Sequence, residues 1–244
     1  MNFYTSIADA YDAIFPLNPE IVNFVATATQ VSANLAILDV GCGTGKLAQA
    51  LAQQGHRVTG IDLNKEMVAR AVAGNSYKSA CFYEQNMLEL DARFQSQSFD
   101  ALLCFGNTLV HLPDEDAVGV FARQAFQVLK PGGRLFLQII NYDRILNQHI
   151  NGLPTIDNAE IEFVRKYHYL EAQHRIDFRT RLTFKASGQV IENSQLLLPL
   201  KKDELMAQIN AAGFVKLKAY GGFKRQAWSE ATQPLVLEAE RAET

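Results

Sequence analysis

Three glycines at alternate positions, Gly41, Gly43 and Gly45, follow directly on the apolar run Ala36–Val40. A helix-forming stretch, residues 46–54, comes next, and then a second apolar run, 57–61, that ends in Asp62. Each part has a chemical use. Glycines let the backbone approach a ligand closely and turn through positive φ without a Cβ clash. The first turn of the following helix offers unpaired N–H groups and the positive end of its dipole. A carboxylate at the end of the second strand can accept two hydrogen bonds from the neighbouring hydroxyls of a ribose. Strand, glycine turn, helix, strand, acid is half of a nucleotide-binding α/β unit.

The spacing separates this unit from the dinucleotide-binding kind. Gly-x-Gly-x-Gly with Asp39 just before it differs from the Gly-x-Gly-x-x-Gly that cradles a pyrophosphate. An acid inside the turn repels a pyrophosphate and suits a ligand that carries an ammonium group. On these residues, and on Asp62 after the next strand, the chain resembles the class I S-adenosylmethionine-dependent methyltransferases, whose first motif has this D-x-G-x-G-x-G form. The resemblance implies S-adenosylmethionine as cofactor. Its methionine part would lie against Gly41, Gly43 and Gly45, with Asp39 linked to the ammonium directly or through water. Asp62 would take the ribose hydroxyls, and Leu63 would pack on adenine. Asn86 stands where many relatives have an aspartate that accepts from the adenine amino group; an asparagine oxygen can accept the same bond. Met87 would offer its backbone N–H and its side chain to the ring, and Tyr11, with Tyr4 before it, would close over the cofactor.

The stretch after the fourth strand, Phe105-Gly106-Asn107-Thr108-Leu109-Val110-His111-Leu112, borders both cofactor and acceptor in that family. It lacks the Asn/Asp-Pro-Pro-Tyr/Phe signature of enzymes that methylate exocyclic amines of nucleobases or glutamine. Its G-N-T-x-x-H-L form, with Asn141-Tyr142-Asp143 after the fifth strand, looks like the branch that methylates glycine and amino-sugar nitrogens. Methyl transfer from a sulfonium is an in-line displacement, so the protein aligns the reactants and excludes water. No HExxH or CxxC spacing points to a metal. His111 is the candidate base, with an imidazole that titrates near neutrality, and Tyr142 the candidate to orient the acceptor. The expected function is transfer of a methyl group to a small molecule, with nitrogen favoured over oxygen. The competing readings are a non-catalytic sensor or regulatory protein that binds the same cofactor, an O- or protein methyltransferase, and an aminopropyl-type transferase on the same fold.

The totals narrow the partners. The chain has 244 residues, 48% of them hydrophobic, and a net charge of −3. One domain with a full core is expected. Without a basic tail or a dense run of Lys and Arg, tight binding to a phosphate backbone is not expected. Cys42, Cys81 and Cys104 fall in or beside core strands and read as reduced thiols. No leader-like segment or membrane-spanning run is read, so a cytoplasmic location is expected. The sequence does not fix the oligomeric state.

The elements that must position these residues alternate from Ala36 onward. Strands are expected at 36–40, 57–61, 80–84, 99–104, 134–140, 214–220 and 233–240, and helices at 46–54, 65–73, 116–129 and 202–211. Pro131-Gly132-Gly133 reads as a stop and turn before the fifth strand. Such alternation means a mostly parallel sheet covered on both faces. The resemblance adds a Rossmann-like order, 3-2-1-4-5-7-6, with the seventh strand antiparallel. Two helices, residues 4–15 and from Pro19 to about Thr29, are expected over the carboxyl end of the first strand. Residues 141–200 break the alternation with a short helix, 142–150, and β segments at 160–169, 175–185 and 190–198, the second with a partial period of two at Ile176, Phe178 and Leu182, read as a lid inserted after strand five. The expected division is a helical cap, 1–32, a cofactor-binding core, 33–140, the lid, 141–200, and the end of the core, 201–244. His56, after Gly55, is expected in solvent, and Trp228 as apolar cover with a possible place in the acceptor pocket.

Overall fold

The computed structural model describes residues 3–28 and 34–243. In chain order the helices are α1 (Phe3–Ser6), α2 (Tyr11–Ile14), α3 (Pro19–Ala28), α4 (Lys46–Gln53), α5 (Lys65–Ala73), α6 (Glu115–Val128), α7 (Tyr142–Asn147) and α8 (Lys202–Ala211). The strands are β1 (Ala36–Val40), β2 (Arg57–Asp62), β3 (Ala80–Glu84), β4 (Phe99–Cys104), β5 (Leu129–Ile140), β6 (Gly152–Asp157), β7 (Ile161–Leu170), β8 (Arg175–Phe184), β9 (Val190–Leu197), β10 (Phe214–Tyr220) and β11 (Pro234–Arg241).

Central strands covered on both faces must be apolar nearly throughout. Accordingly Ile37, Leu38 and Val40 of β1 and Ala101 to Cys104 of β4 are buried. The main sheet runs β3-β2-β1-β4-β5-β11-β10, and β11 is antiparallel to both its neighbours. In order of core strands this is the expected 3-2-1-4-5-7-6 arrangement. One apolar layer, with α6 and α8, packs through Phe121, Leu135, Leu205 and Phe214. The other, with α3 and α4, packs through Phe24, Ile37, Leu51 and Phe136. The reversal of crossover direction between β1 and β4 opens a crevice at the carboxyl ends, where an open α/β sheet takes its ligands.

The helix caps follow local chemistry. Asn64 accepts from the N–H groups of Glu66 and Met67 and starts α5, and Asp114 does the same for α6 through Ala117 N. Asn141, fully buried, accepts from Arg144 N and donates to the carbonyls of Ser229 and Thr232, which ties the end of β5 to the loop before β11.

Four expectations change. Residues 4–15 are not one helix. Helical turns at α1 and α2 flank a short 3-10 turn, Ala8–Ala10, because the segment wedges between two bodies: Phe3, Ile7 and Ile14 pack on Ile161, Phe163 and Leu182 of the second sheet. Helix α3 joins the layer on the sheet face through Phe24 and Val25 and does not lie over the carboxyl end; its expected last residue, Thr29, and the expected boundary at 32–33 lie outside the described residues. Pro131-Gly132-Gly133 falls inside β5, where the register against β4 shifts between Phe99 and Ala101. His56 is buried, with Nδ1 accepting from Leu35 N at 3.4 Å.

The segment after α7 forms a separate antiparallel sheet, β6-β7-β8-β9. Three of its strands match the expected β segments; β6, containing Pro154, was not expected. No helix among the described residues is long and apolar enough to cross a membrane.

The Asn141→Ala substitution removes three hydrogen bonds at a buried site. It is expected to lower unfolding free energy by about 3 kcal/mol, about 1 kcal/mol for each hydrogen bond lost. Urea denaturation measures this; a loss within the scatter of surface substitutions would contradict the tie between β5 and the β11 loop.

Candidate functional site

A cavity opens where β1, β2, β3 and β4 end. Its empty space is about 1000 Å³ including the mouth, room for a nucleoside with an amino-acid tail and a small second molecule. Eleven of the fourteen residues predicted from sequence lie on its wall: Tyr4, Tyr11, Gly41, Gly43, Asp62, Leu63, Asn86, Met87, Phe105, Gly106 and His111. Asp39, Gly45 and Tyr142 do not.

The glycine turn is fastened to β2. The N–H groups of Gly41 and Cys42 both donate to the carbonyl of Ile61, at 2.8 and 3.0 Å. Gly43 N donates to Oδ2 of Asp62 at 2.9 Å, and Asn64 N donates to Oδ1 at 2.8 Å. Gly41 and Gly43 have φ of +73° and +53°. A Cβ on Gly41 would collide with Thr108, and one on Gly43 would stand 2.8 Å from the Tyr11 hydroxyl. Glycine is therefore required twice over, for φ and for space. Gly45 lies below the wall, where a Cβ would meet the Phe82 ring, so its role is to let α4 pack on the sheet.

Burial makes this end of the cavity electrostatically unusual. Asp62 is raised above the usual carboxylate range by burial, although its backbone N–H partners oppose the shift. Asp39 lies behind the wall with Oδ2 unpartnered, and burial, with the Asp62 charge nearby, pushes its pKa up to about 7. Two acids in a low-dielectric site reject an anion such as pyrophosphate and favour a cation. The orphaned carboxylate oxygen of Asp39, the pre-oriented carboxylate of Asp62 and the glycine cradle therefore suit a ligand that joins a ribose to a positively charged tail.

At the third strand's end, Asn86 Oδ1 already accepts from Leu88 N at 3.0 Å. The expected bond from an adenine amino group would have to use its second lone pair. Leu63, 68% exposed, and Met87 both line the cavity. Gly106 N donates to Gln138 Oε1 at 2.8 Å, which fixes the start of the loop after β4.

That loop continues into a 3-10 turn, Leu109–His111, which places His111 against α1. The Tyr4 hydroxyl and His111 Nε2 share a hydrogen bond of 2.8 Å, while Nδ1 is buried without a partner. Burial lowers the His111 pKa to about 4, so the ring is neutral at neutral pH and a weaker base than expected from an unperturbed imidazole. Burial pushes the hydroxyls of Tyr4 and Tyr11 the other way, keeping both protonated. Tyr142 corrects a second expectation. It is fully buried and its hydroxyl accepts from Asn107 Nδ2 at 3.2 Å. Asn107 Oδ1 in turn accepts from Ile140 N. Tyr142 thus braces the loop from behind and does not reach the cavity. Trp228 also stays off the wall, with Lys202 Nζ 4.9 Å from its ring centre.

The wall includes residues that the motifs did not single out. Asn64 is the cap of α5, and Thr108 was embedded in the loop segment. Gln195, from β9, sits in a strand with no motif, and nothing in its local sequence marks it.

Comparison with known proteins agrees with this geometry. Residues 37–133 match the methyltransferase domain family. A Geobacillus sp. (strain WCH70) protein bearing a methyltransferase name is 28% identical over 210 residues, 84% of each chain. A ubiquinone biosynthesis O-methyltransferase of Xanthomonas oryzae pv. oryzae is 39% identical over 127 residues, so the match spans 51% of either chain. A crystal structure of an S-adenosylmethionine-dependent methyltransferase from Clostridium acetobutylicum superposes with a TM-score of 0.82 at 15% identity, covering 99% and 100% of the two chains. CalS10 from Micromonospora echinaspora, an amino pentose methyltransferase solved with S-adenosylmethionine bound, gives 0.72 at 20% identity and covers 99% and 98%. The solved structures establish the fold. Residues 37–133 thus carry the methyltransferase-domain match, and the whole chain shares the fold of S-adenosylmethionine-dependent methyltransferases.

The raised pKa of Asp39 carries a stability consequence of definite sign. An unfolded aspartate titrates near about 3.9. The folded protein therefore holds the extra proton between that value and about 7. The group's stabilising contribution is full below the unfolded value and is lost as pH rises through the folded one. Asp39→Asn is thus expected to gain stability over the parent at about pH 8 and little at about pH 4. Denaturant unfolding at both values tests it; an equal difference at both would contradict the buried, unpaired carboxylate.

Proposed function

We propose that the cavity holds S-adenosylmethionine with Asp62 accepting from its ribose hydroxyls, and that the protein transfers the methyl group to a small-molecule acceptor, with an amine nitrogen as the receiving atom. One observation carries the reading. Both oxygens of Asp62 are pre-oriented by backbone N–H groups on the cavity wall, at the end of the second strand and beside a glycine turn. The rest of the assignment follows the wall. Gly41, Gly43 and the carboxylate of Asp39 behind them serve the methionine end. Leu63, Asn86 and Met87 serve the adenine, and Tyr11 and Phe105 close the sides.

When bound, S-adenosylmethionine supplies an electrophilic methyl on a positively charged sulfur. What the chain contributes is position, dryness and a proton site. Tyr4 and Tyr11 cover the cavity from the N-terminal segment. That segment is fastened to the second sheet by Asn193 Nδ2 donating to Ser6 Oγ at 2.9 Å and Asn158 Nδ2 donating to the Ala13 carbonyl. In this reading residues 141–200 act as the lid and move with the N-terminal segment. His111 Nε2 shares its hydrogen bond with Tyr4, and in the tautomer with Nε2–H donating to that hydroxyl Nδ1 keeps its lone pair as a weak proton acceptor for the methylated amine. Tyr142 and Asn107 hold the loop that carries His111.

Oxygen is the second reading, favoured by the name of the Xanthomonas relative. The chemistry of His111 weighs against it. Burial keeps His111 neutral and weakens it as a base toward a hydroxyl, whereas a neutral amine attacks through its own lone pair before it loses a proton. CalS10, described as an amino pentose methyltransferase, is a fold neighbour whose acceptor chemistry accords with nitrogen.

Asp62→Ala is expected to weaken S-adenosylmethionine by about 2 kcal/mol, the cost of losing charge-assisted hydrogen bonds, as read by calorimetry. Unchanged affinity would sink the ribose assignment. His111→Phe is expected to keep cofactor affinity and to lower turnover by about tenfold or more, measured by release of S-adenosylhomocysteine. Full turnover would remove the proton-accepting role.

A further inference from the structure

Gln195 stands apart from every other residue of the cavity wall because it alone comes from the second sheet. It pairs in register with Phe178 of β8, which pairs with Tyr167 of β7, so the three share the face turned toward the core. Phe178 and Tyr167 line that face with their rings 5.5 Å apart, and the Tyr167 hydroxyl is likewise buried without a partner. Gln195 interrupts it with a carboxamide whose Oε1 is buried and has no hydrogen-bond partner. A buried carbonyl oxygen without a donor costs free energy unless something brings an N–H or O–H to it. Among the described residues nothing does so, and β9 packs against the 3-10 turn that carries His111.

The charges of the wall limit what can bring that donor. Among the described residues lining the cavity, Asp62 is the only formally charged side chain, and it belongs to the ribose end. The cations of β7 and β8 near this face are spent elsewhere. Arg165 donates through one Nη to the Pro154 carbonyl, with its Nε unpartnered, and Arg175 donates to the carbonyls of Pro113 and His174; neither lines the cavity. A carboxylate or phosphate entering beside Gln195 would be desolvated without a counter-charge, which is prohibitive. A neutral group with hydrogen-bond donors would satisfy the site.

We propose that Gln195 selects the acceptor, its Oε1 receiving an N–H or O–H of an uncharged amine-bearing molecule that has no carboxylate or phosphate in contact with the wall. The proposal rests on the methyltransferase reading of the same cavity and deepens it. Gln195 would bind the acceptor and leave the cofactor's contacts untouched.

Glucosamine and glucosamine 6-phosphate form a suitable probe pair, since they share the amine and most hydroxyls and differ in one anionic group. Each is titrated by saturation-transfer NMR into protein saturated with S-adenosylhomocysteine, and then assayed for methyl transfer with S-adenosylmethionine. Glucosamine is expected to bind at least about tenfold better than its phosphate. Gln195→Leu is expected to lose about tenfold in that binding, as for one buried hydrogen bond. Gln195→Asn, which keeps a neutral carboxamide oxygen on a shorter side chain, is expected to lose less binding than Gln195→Leu. All variants should hold S-adenosylhomocysteine within about twofold of the parent, which also confirms their folding. Equal or better binding of the phosphate, failure of both probes to bind, or an unchanged affinity in Gln195→Leu would overturn the assignment. Failure of S-adenosylhomocysteine itself to bind would instead remove the cofactor reading, a result distinct from loss of acceptor selection.

Discussion

The carboxylate of Asp62 ties three parts of the chain to one point. It ends β2, accepts the N–H of Gly43 from the turn after β1, and accepts the N–H of Asn64 at the cap of α5. The Ile61 carbonyl beside it takes two more N–H groups from the same turn. Everything else at the cavity is built against this knot. Tyr11 can rest on Gly43 only because the turn is held there without a side chain. Thr108 occupies the space that a side chain on Gly41 would fill, so the loop carrying His111 is placed by the same turn.

The second organising constraint is dryness. Burial raises Asp39, Asp62, Tyr4 and Tyr11 and lowers His111. These shifts have one cause, desolvation of whatever would be charged. The cavity therefore tolerates negative charge only as the two carboxylates behind and below the glycine turn, and keeps its far end neutral. Such a division suits a cationic donor molecule at one end and an uncharged nucleophile at the other. It also explains why a histidine here is not a switch at neutral pH: the ring is already neutral, and its use lies in the unshared electron pair that Tyr4 can fix in place through the other nitrogen.

Much of this was legible in sequence, for a physical reason. Buried parallel strands, glycine turns and capped helices are written in local residue types, so β1, β3, β4, β10, α5 and α8 fall at the expected residues. The order of strands came from the family resemblance and not from spacing. What local patterns could not carry were contacts made across the fold. The N-terminal segment breaks into short turns because it is gripped between core and second sheet, a tertiary demand that apolar spacing does not reveal. Tyr142 sits in a motif beside the site yet points into the core, because Asn107 draws its hydroxyl there. Gln195 reaches the cavity from β9, far along the chain, through sheet pairing alone. His111 was visible as a candidate, but its lowered pKa depends on the packing that surrounds it.

The central claim is that this cavity is built for a ribose-bearing cation. The most direct test is calorimetric titration of the unmodified protein with S-adenosylmethionine, with S-adenosylhomocysteine and NAD as comparisons. The account predicts saturable one-to-one binding of the first two and none of NAD, whose pyrophosphate would face Asp39 and Asp62. Binding of NAD, or no binding of S-adenosylmethionine, would contradict it.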